Sequence, residues 1–289
     1  MQAKAPIPLV ILGATGRIGR LLLRAPGPEI APMPQTRHSP PPPGWFHWTP
    51  GSALPAAARG AVLLHLAGPT PSGSGGDYDD HLTLARAGLA AARAAGVAHV
   101  LMASSAAVYG RPPPGSVPDE DSPCRPFTAY GAAKLEMERA LCGPGVTLLR
   151  IGNVAGTDLL MRNALLATAA APLRLERFAD GRSARRAYIG PGTLAQVITT
   201  LARRAAGGLP LPEVLNIAAP GPGVEMAALL AALAAAGRPV PHDDIPAPPT
   251  ALADLPLCTA RLAALHPFTA DDSCPAAMVQ QWLQLSVPA

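Results

Sequence analysis

Pro8-Leu-Val-Ile-Leu12 runs without a break into Gly13-Ala-Thr-Gly-Arg-Ile-Gly19 and on to Arg20-Leu-Leu-Leu-Arg24. An apolar run closed by glycine predicts a buried strand, and the leucine-rich stretch after the glycines predicts a helix. In that arrangement Gly13 permits a tight turn, Gly16 lets backbone approach a pyrophosphate, and Gly19 lets the helix pack closely on the strand. The anion would rest on the unpaired N–H groups of the helix start, which makes Thr15, Arg17 and Ile18 candidate cofactor-binding residues beside the glycines. The spacing alone also suits an ordinary strand–helix turn.

Further apolar runs extend the pattern. Glu29–Thr36 is a second strand candidate, weakened by Pro32 and Pro34. Trp45–Trp48 is a third, with its aromatic residues read as packing. Ala61–Ala67, Ala98–Ala103 and Val146–Ile151 read as buried strands, and Asp79–Ala95 and Thr128–Leu141 as helices between them. This alternation predicts an α/β fold, a Rossmann-like doubly wound parallel sheet. After Gly152 the regularity weakens. Helices are expected at 158–171, 193–206 and 226–236, short strands at 185–189 and 214–218, and an irregular proline-rich stretch at 239–256. The reading is a dinucleotide-binding domain over 1–155 and a smaller substrate-facing lobe over 156–289, from which some segments could return to the sheet.

A dinucleotide site also needs a residue at the end of the second strand for the adenosine ribose. An acid there suits NAD, and an arginine suits the 2′-phosphate of NADP. Arg37 lies in that window, between Thr36 and His38, and no acid does. NADP is therefore the expected cofactor, with NAD as the alternative.

The chain has two lysines against twenty-one arginines, and one of the two, Lys134, follows Tyr130 by four residues. Arginine is neither compact nor able to release its proton, so a lysine in this background reads as a chemical choice. At i and i+4 of a helix the two side chains share a face. A nearby ammonium would draw the phenol down towards working pH, as a general acid/base requires. Ser104 and Ser105 close the strand before this helix, on the side of the sheet where ligands bind in such folds. A hydroxyl there could hold the substrate oxygen that Tyr130 protonates.

These motifs resemble the extended short-chain dehydrogenase/reductase superfamily, specifically the NAD-dependent epimerase/dehydratase family. The likeness rests on Gly13–Gly19, His65-Leu-Ala-Gly68, Ser104-Ser-Ala-Ala-Val-Tyr-Gly110, Tyr130-Gly-Ala-Ala-Lys134 and Leu149-Arg-Ile-Gly-Asn153. It implies Ser105, Tyr130 and Lys134 as catalytic residues, with Lys134 also on the nicotinamide ribose. Leu66, Ala67, Gly68 and Ile151 would line the cofactor, and Ser104, Ser105 and Asn153 the substrate. It also suggests a homodimer through 79–95 and 128–141. The chain departs from the family where His81 replaces a helix asparagine. It departs again where Ala106 and Ala107 replace the Asp-Glu pair of 4,6-dehydratases, which disfavours that route.

Three functions remain open: an NAD(P)-dependent reductase or dehydrogenase acting on a carbonyl compound, a sugar-nucleotide epimerase holding NAD tightly, and a non-catalytic NADP-binding sensor or scaffold. Arg182, Arg185 and Arg186 could meet a diphosphate or could be solvated. A net charge of +4 from scattered arginines gives no basic stripe for nucleic acid. The four cysteines lack metal-ligand spacing, and no run approaches the ~18 apolar residues of a membrane span. No metal, no membrane and a cytoplasmic setting are expected. Ser72–Gly76, leaving a strand's carboxyl end, is a candidate lid.

Overall fold

The computed structural model describes residues 5–25, 27, 29–69, 78 and 80–286, so the candidate lid lies outside the described residues. The alternation seen in the sequence gives β1 (Ile7–Leu12), α1 (Arg17–Arg24), β2 (Ile30–Thr36), β3 (Phe46–His47), β4 (Val62–His65), α2 (Asp80–Ala95), β5 (His99–Ser105), α3 (Ala129–Leu141) and β6 (Val146–Ile151). With the later strand Val214–Ile217 they form one seven-stranded sheet in the order Val214–Ile217, β6, β5, β4, β1, β2, β3. The pairings from β3 to β6 are parallel. β4 and β6 are buried at every position, as expected of a parallel sheet covered on both faces. The order reverses between β1 and β4, which opens a crevice at their carboxyl ends.

The prolines of β2 are placed where they cost least. Ile7 N–H donates to the Glu29 carbonyl, so odd-numbered residues of β2 face β1 and Pro32 and Pro34 face away. On that side β3 reaches only Gln35 and Thr36, so no ladder bond is lost. α2 turns Ala85, Gly88, Leu89 and Ala92 inward at helical spacing and stops at Gly96, whose φ is +71°. The buried stripe of α3 is less usual, because Lys134 and Glu138 lie in it beside Gly131, Leu135 and Leu141.

The chain divides into two compact units, residues 1–110, 123–151 and 195–215 in one and residues 111–122, 152–194 and 216–289 in the other. In the second, the stretch expected to be irregular contains the strand His242–Pro246, which pairs in parallel with Leu173–Arg177. Its side chains are mostly exposed, so it carries little of the apolar alternation that would reveal a strand. The helix Pro275–Ser286 is tied back through Gln281, which accepts the Gly192 and Thr193 N–H groups at 3.0 and 3.1 Å. Asp272 is buried and accepts the Thr193 hydroxyl at 2.6 Å. Among the described residues no helix is long and apolar enough to cross a membrane.

Candidate active site

The glycine turn is built as its spacing requires. Gly13 has φ +82°, and a Cβ there would stand 2.6 Å from the Ala67 nitrogen and 2.8 Å from the Leu66 carbonyl carbon. The turn therefore lies directly on the segment that continues β4, which brings Leu66–Ala67 beside it. A Cβ on Gly19 would meet Ala14 at 2.7 Å, so α1 could not pack as it does with any side chain there. Gly16 caps α1 without a side-chain hydrogen bond, and the first turn holds no acid. The first-turn N–H groups thus have no side-chain cap, which suits a bound anion.

Gln35 belongs to this turn and escaped the sequence reading. Its Oε1 accepts the Gly13 N–H at 3.0 Å, and its Nε2 donates to the Trp48 carbonyl at 2.8 Å. It is buried, and it locks the glycine turn to the segment after β3. The available signal was a glutamine at an inward position of a strand. Arg37 stands exposed just past β2, while Thr36 is buried and accepts the His38 N–H at 3.1 Å.

Ser105, Tyr130 and Lys134 converge. Ser105 ends β5, accepts the Ala107 N–H at 3.2 Å and hydrogen-bonds the Tyr130 phenol. Thr128 caps α3 through the Gly131 N–H at 3.1 Å, which fixes the helix start two residues before Tyr130. A Cβ on Gly131 would lie 2.6 Å from the Ala107 carbonyl oxygen, so the glycine lets α3 press against the turn that follows β5. One turn on, Lys134 is buried, donates to the Ala103 carbonyl at 2.9 Å and stands 5.9 Å from the Tyr130 ring centroid. Ile151 pairs with Ser105 across β5 and β6.

The electrostatics differ from the sequence expectation. Burial raises the Tyr130 phenol, opposed by the Ser105 hydrogen bond, and Lys134 is not what lowers it. Burial also brings Lys134 down to about 8, with Glu138 opposing. The physical reason is that the ammonium turns to a carbonyl while both groups lose water, so desolvation outweighs their mutual attraction.

Two histidines lie close to this set. His65 Nε2 lies 3.1 Å from the Leu84 carbonyl. His81 packs edge-on to Tyr130, with centroids 5.5 Å apart, and stacks on Tyr78. A Cβ on Gly68 would fall 2.4 Å from His81 Nδ1, and neither nitrogen of that ring has a hydrogen-bond partner among the described residues. Burial chiefly, with the Lys134 charge adding to it, lowers His65 to about 4 and His81 to about 3. Between those values and 6.5 the unfolded chain binds more protons, so stability is complete above about pH 6.5 and falls as pH drops towards 4. Urea unfolding is expected to show a loss of about 2 kcal/mol at about pH 5 from His65 alone. The loss should vanish when both rings are replaced by asparagine. Equal stability at about pH 5 and pH 7.5 would contradict this account.

The remaining candidates have the following partners. The Ser104 hydroxyl is committed to Glu138 at 2.5 Å. Asn153 belongs to the second unit, where its N–H donates to the Ala187 carbonyl at 2.8 Å. Arg182 and Arg185 bond Asp180 and Asp254, and Arg186 is satisfied by the carbonyls of Arg185, Leu252 and Ala253.

The family model described as NAD dependent epimerase/dehydratase matches residues 63–218, a span that begins after the glycine turn. Two curated UDP-glucose 4-epimerases are similar over short stretches. The one from Corynebacterium glutamicum is 39% identical over 85 residues, which is 27% of this chain and 26% of that protein. The one from Azospirillum brasilense is 44% identical over 77 residues, 24% of this chain and 22% of that protein. The chain thus matches only about a quarter of these relatives' length. Whole-chain likeness comes from solved structures. A Brucella ovis UDP-glucose 4-epimerase in complex with NAD aligns with TM-score 0.77 at 20% identity over 96% of this chain and 98% of that one. An NAD-dependent NDP-hexosamine 5,6-dehydratase of tunicamycin biosynthesis aligns with TM-score 0.75 at 24% identity over 96% and 97%. At such identities the likeness establishes the fold.

Proposed function

The chain belongs to the NAD dependent epimerase/dehydratase family, and from that premise we propose that it is an NAD(P)-dependent oxidoreductase or epimerase acting at a carbonyl or alcohol carbon. The observation that carries this reading is the convergence of Ser105, Tyr130 and Lys134 at the carboxyl end of β5. The turn Gly13–Gly19 fits a dinucleotide pyrophosphate, with the α1 start uncapped by any side chain and Gly13 seated on Ala67. Bound NAD(P) would supply the hydride acceptor and donor.

The protein's own groups supply the rest. Ser105 holds the substrate oxygen. Tyr130 gives a proton to that oxygen when a carbonyl is reduced and takes it back when an alcohol is oxidised. Burial keeps the resting phenol protonated, ready to donate. Lys134 stands one turn below as the buried cation. Ala106 and Ala107 carry no proton-transferring group, so these positions do not support elimination of water.

For the cofactor, exposed Arg37 past β2 supports NADP, whereas the Brucella relative carries NAD. Sugar nucleotides are the substrate class supported by the relatives' names, with tightly held NAD as the epimerase form of the reading. The test is to denature the purified protein and identify any released dinucleotide. UDP-glucose is then incubated with the folded protein and NAD or NADP, scoring the C4 epimer and cofactor reduction separately. Epimer without net reduction marks an epimerase, and net reduction marks a dehydrogenase. Dinucleotide binding with no turnover on sugar nucleotides or aldehydes would favour the sensor reading, and no binding at all would overturn the proposal.

A further inference from the structure

Behind the proposed reacting groups lies a buried polar set that the chemistry above leaves unused. Three successive residues of β5 each engage one residue of α3. The Ala103 carbonyl takes Lys134, the Ser104 hydroxyl takes Glu138, and Ser105 takes Tyr130. Glu138 is one helical turn after Lys134 and only 3% exposed. Its carboxylate also accepts Arg150 Nε at 3.1 and 3.2 Å and Nη2 at 2.8 Å. Arg150 in turn donates to the Tyr109 hydroxyl at 3.0 Å and lies over that ring at 5.0 Å.

A buried ammonium with one carbonyl partner needs an anion nearby to remain charged. Tyr130 and Glu138 face Lys134 from α3, His65 from β4 and His81 from α2, while Arg150 of β6 stands behind Glu138. Burial keeps the phenol protonated and both imidazoles neutral. Glu138 is then the one anion of this set.

We propose that Glu138, clamped by Ser104 and Arg150, is a positioning residue that keeps Lys134 in its ammonium form and in register with Tyr130. This rests on the reading of Ser105, Tyr130 and Lys134 as the reacting set. It implies that the alkaline limb expected of the rate profile is set by a carboxylate that does not touch substrate.

The test uses the full chain labelled with 13C at lysine Cε, which gives only two signals because Lys4 and Lys134 are the sole lysines. Titration yields the Lys134 midpoint with Lys4 as the internal reference. In Glu138→Gln that midpoint is expected to fall by about one pH unit or more, a roughly tenfold loss of ammonium at a fixed alkaline pH. If breaking the ion pair with Arg150 prevents folding, the Glu138→Gln/Arg150→Met double variant removes both charges and should show the same direction of shift. The alkaline limb of kcat should move to lower pH by the same amount. An unmoved midpoint in either folded variant overturns the inference. The titration is read on resting protein, so a wild type without turnover would overturn the proposed function and leave this result standing.

Discussion

Tyr130→Phe is expected to lower kcat by roughly two to four orders of magnitude, the range supplied by a positioned general acid/base. The substitution removes one oxygen and keeps the ring, so the edge contacts with Tyr78 and His81 survive. Ser105 keeps its own hydrogen bond from the Ala107 N–H, and the Gly13–Gly19 turn is untouched. Dinucleotide affinity measured by calorimetry should therefore be nearly unchanged while turnover collapses. Retention of more than about a tenth of the wild-type kcat would show that another group carries the proton. Neither His65 nor His81 is suited to replace it, because burial holds both far below their ordinary protonation range.

Arg150→Met is expected to destabilise the fold by about 3–5 kcal/mol, the cost of stripping one partner from a buried ion pair. The Arg150 and Glu138 side chains are 8% and 4% exposed, so the carboxylate left behind cannot recover its hydration. It would keep the Ser104 hydrogen bond and the Lys134 charge, and the Tyr109 hydroxyl would lose the Arg150 donor. Urea unfolding by far-UV circular dichroism gives the measurement. The Glu138→Gln/Arg150→Met double variant should recover part of the loss, since no buried carboxylate is left without its partner, although Lys134 then lacks its counter-charge. A loss below about 1 kcal/mol would mean that the pair is hydrated or rearranges, which the geometry does not support.

Much of the first unit was legible because its signals are local. β1, α1 and the glycine turn follow one another in sequence, and every constraint on Gly13 and Gly19 arises within a few residues or from the neighbouring strand. Tyr130 and Lys134 were visible because a helix fixes which residues share a face. Gln35 was not, since a glutamine inside a strand shows its use only when Gly13 and Trp48 are in place around it. The strand His242–Pro246 was hidden for another reason. Its side chains stay largely in solvent, so no apolar alternation marks it. Arg185 and Arg186 read as free cations until Asp254 and the carbonyls of 252–253 were seen beside them.

The sequence by itself determined the βαβ alternation, the glycine turn and the reacting residue types, because these depend on short-range periodicity and on which side chains can transfer a proton. The tertiary structure decided their ionisation. Whether a phenol is acidic, a lysine charged or an imidazole neutral depends on how much water each has lost and which charges face it across β4, β5 and the helices. Those quantities exist only once distant segments have packed together.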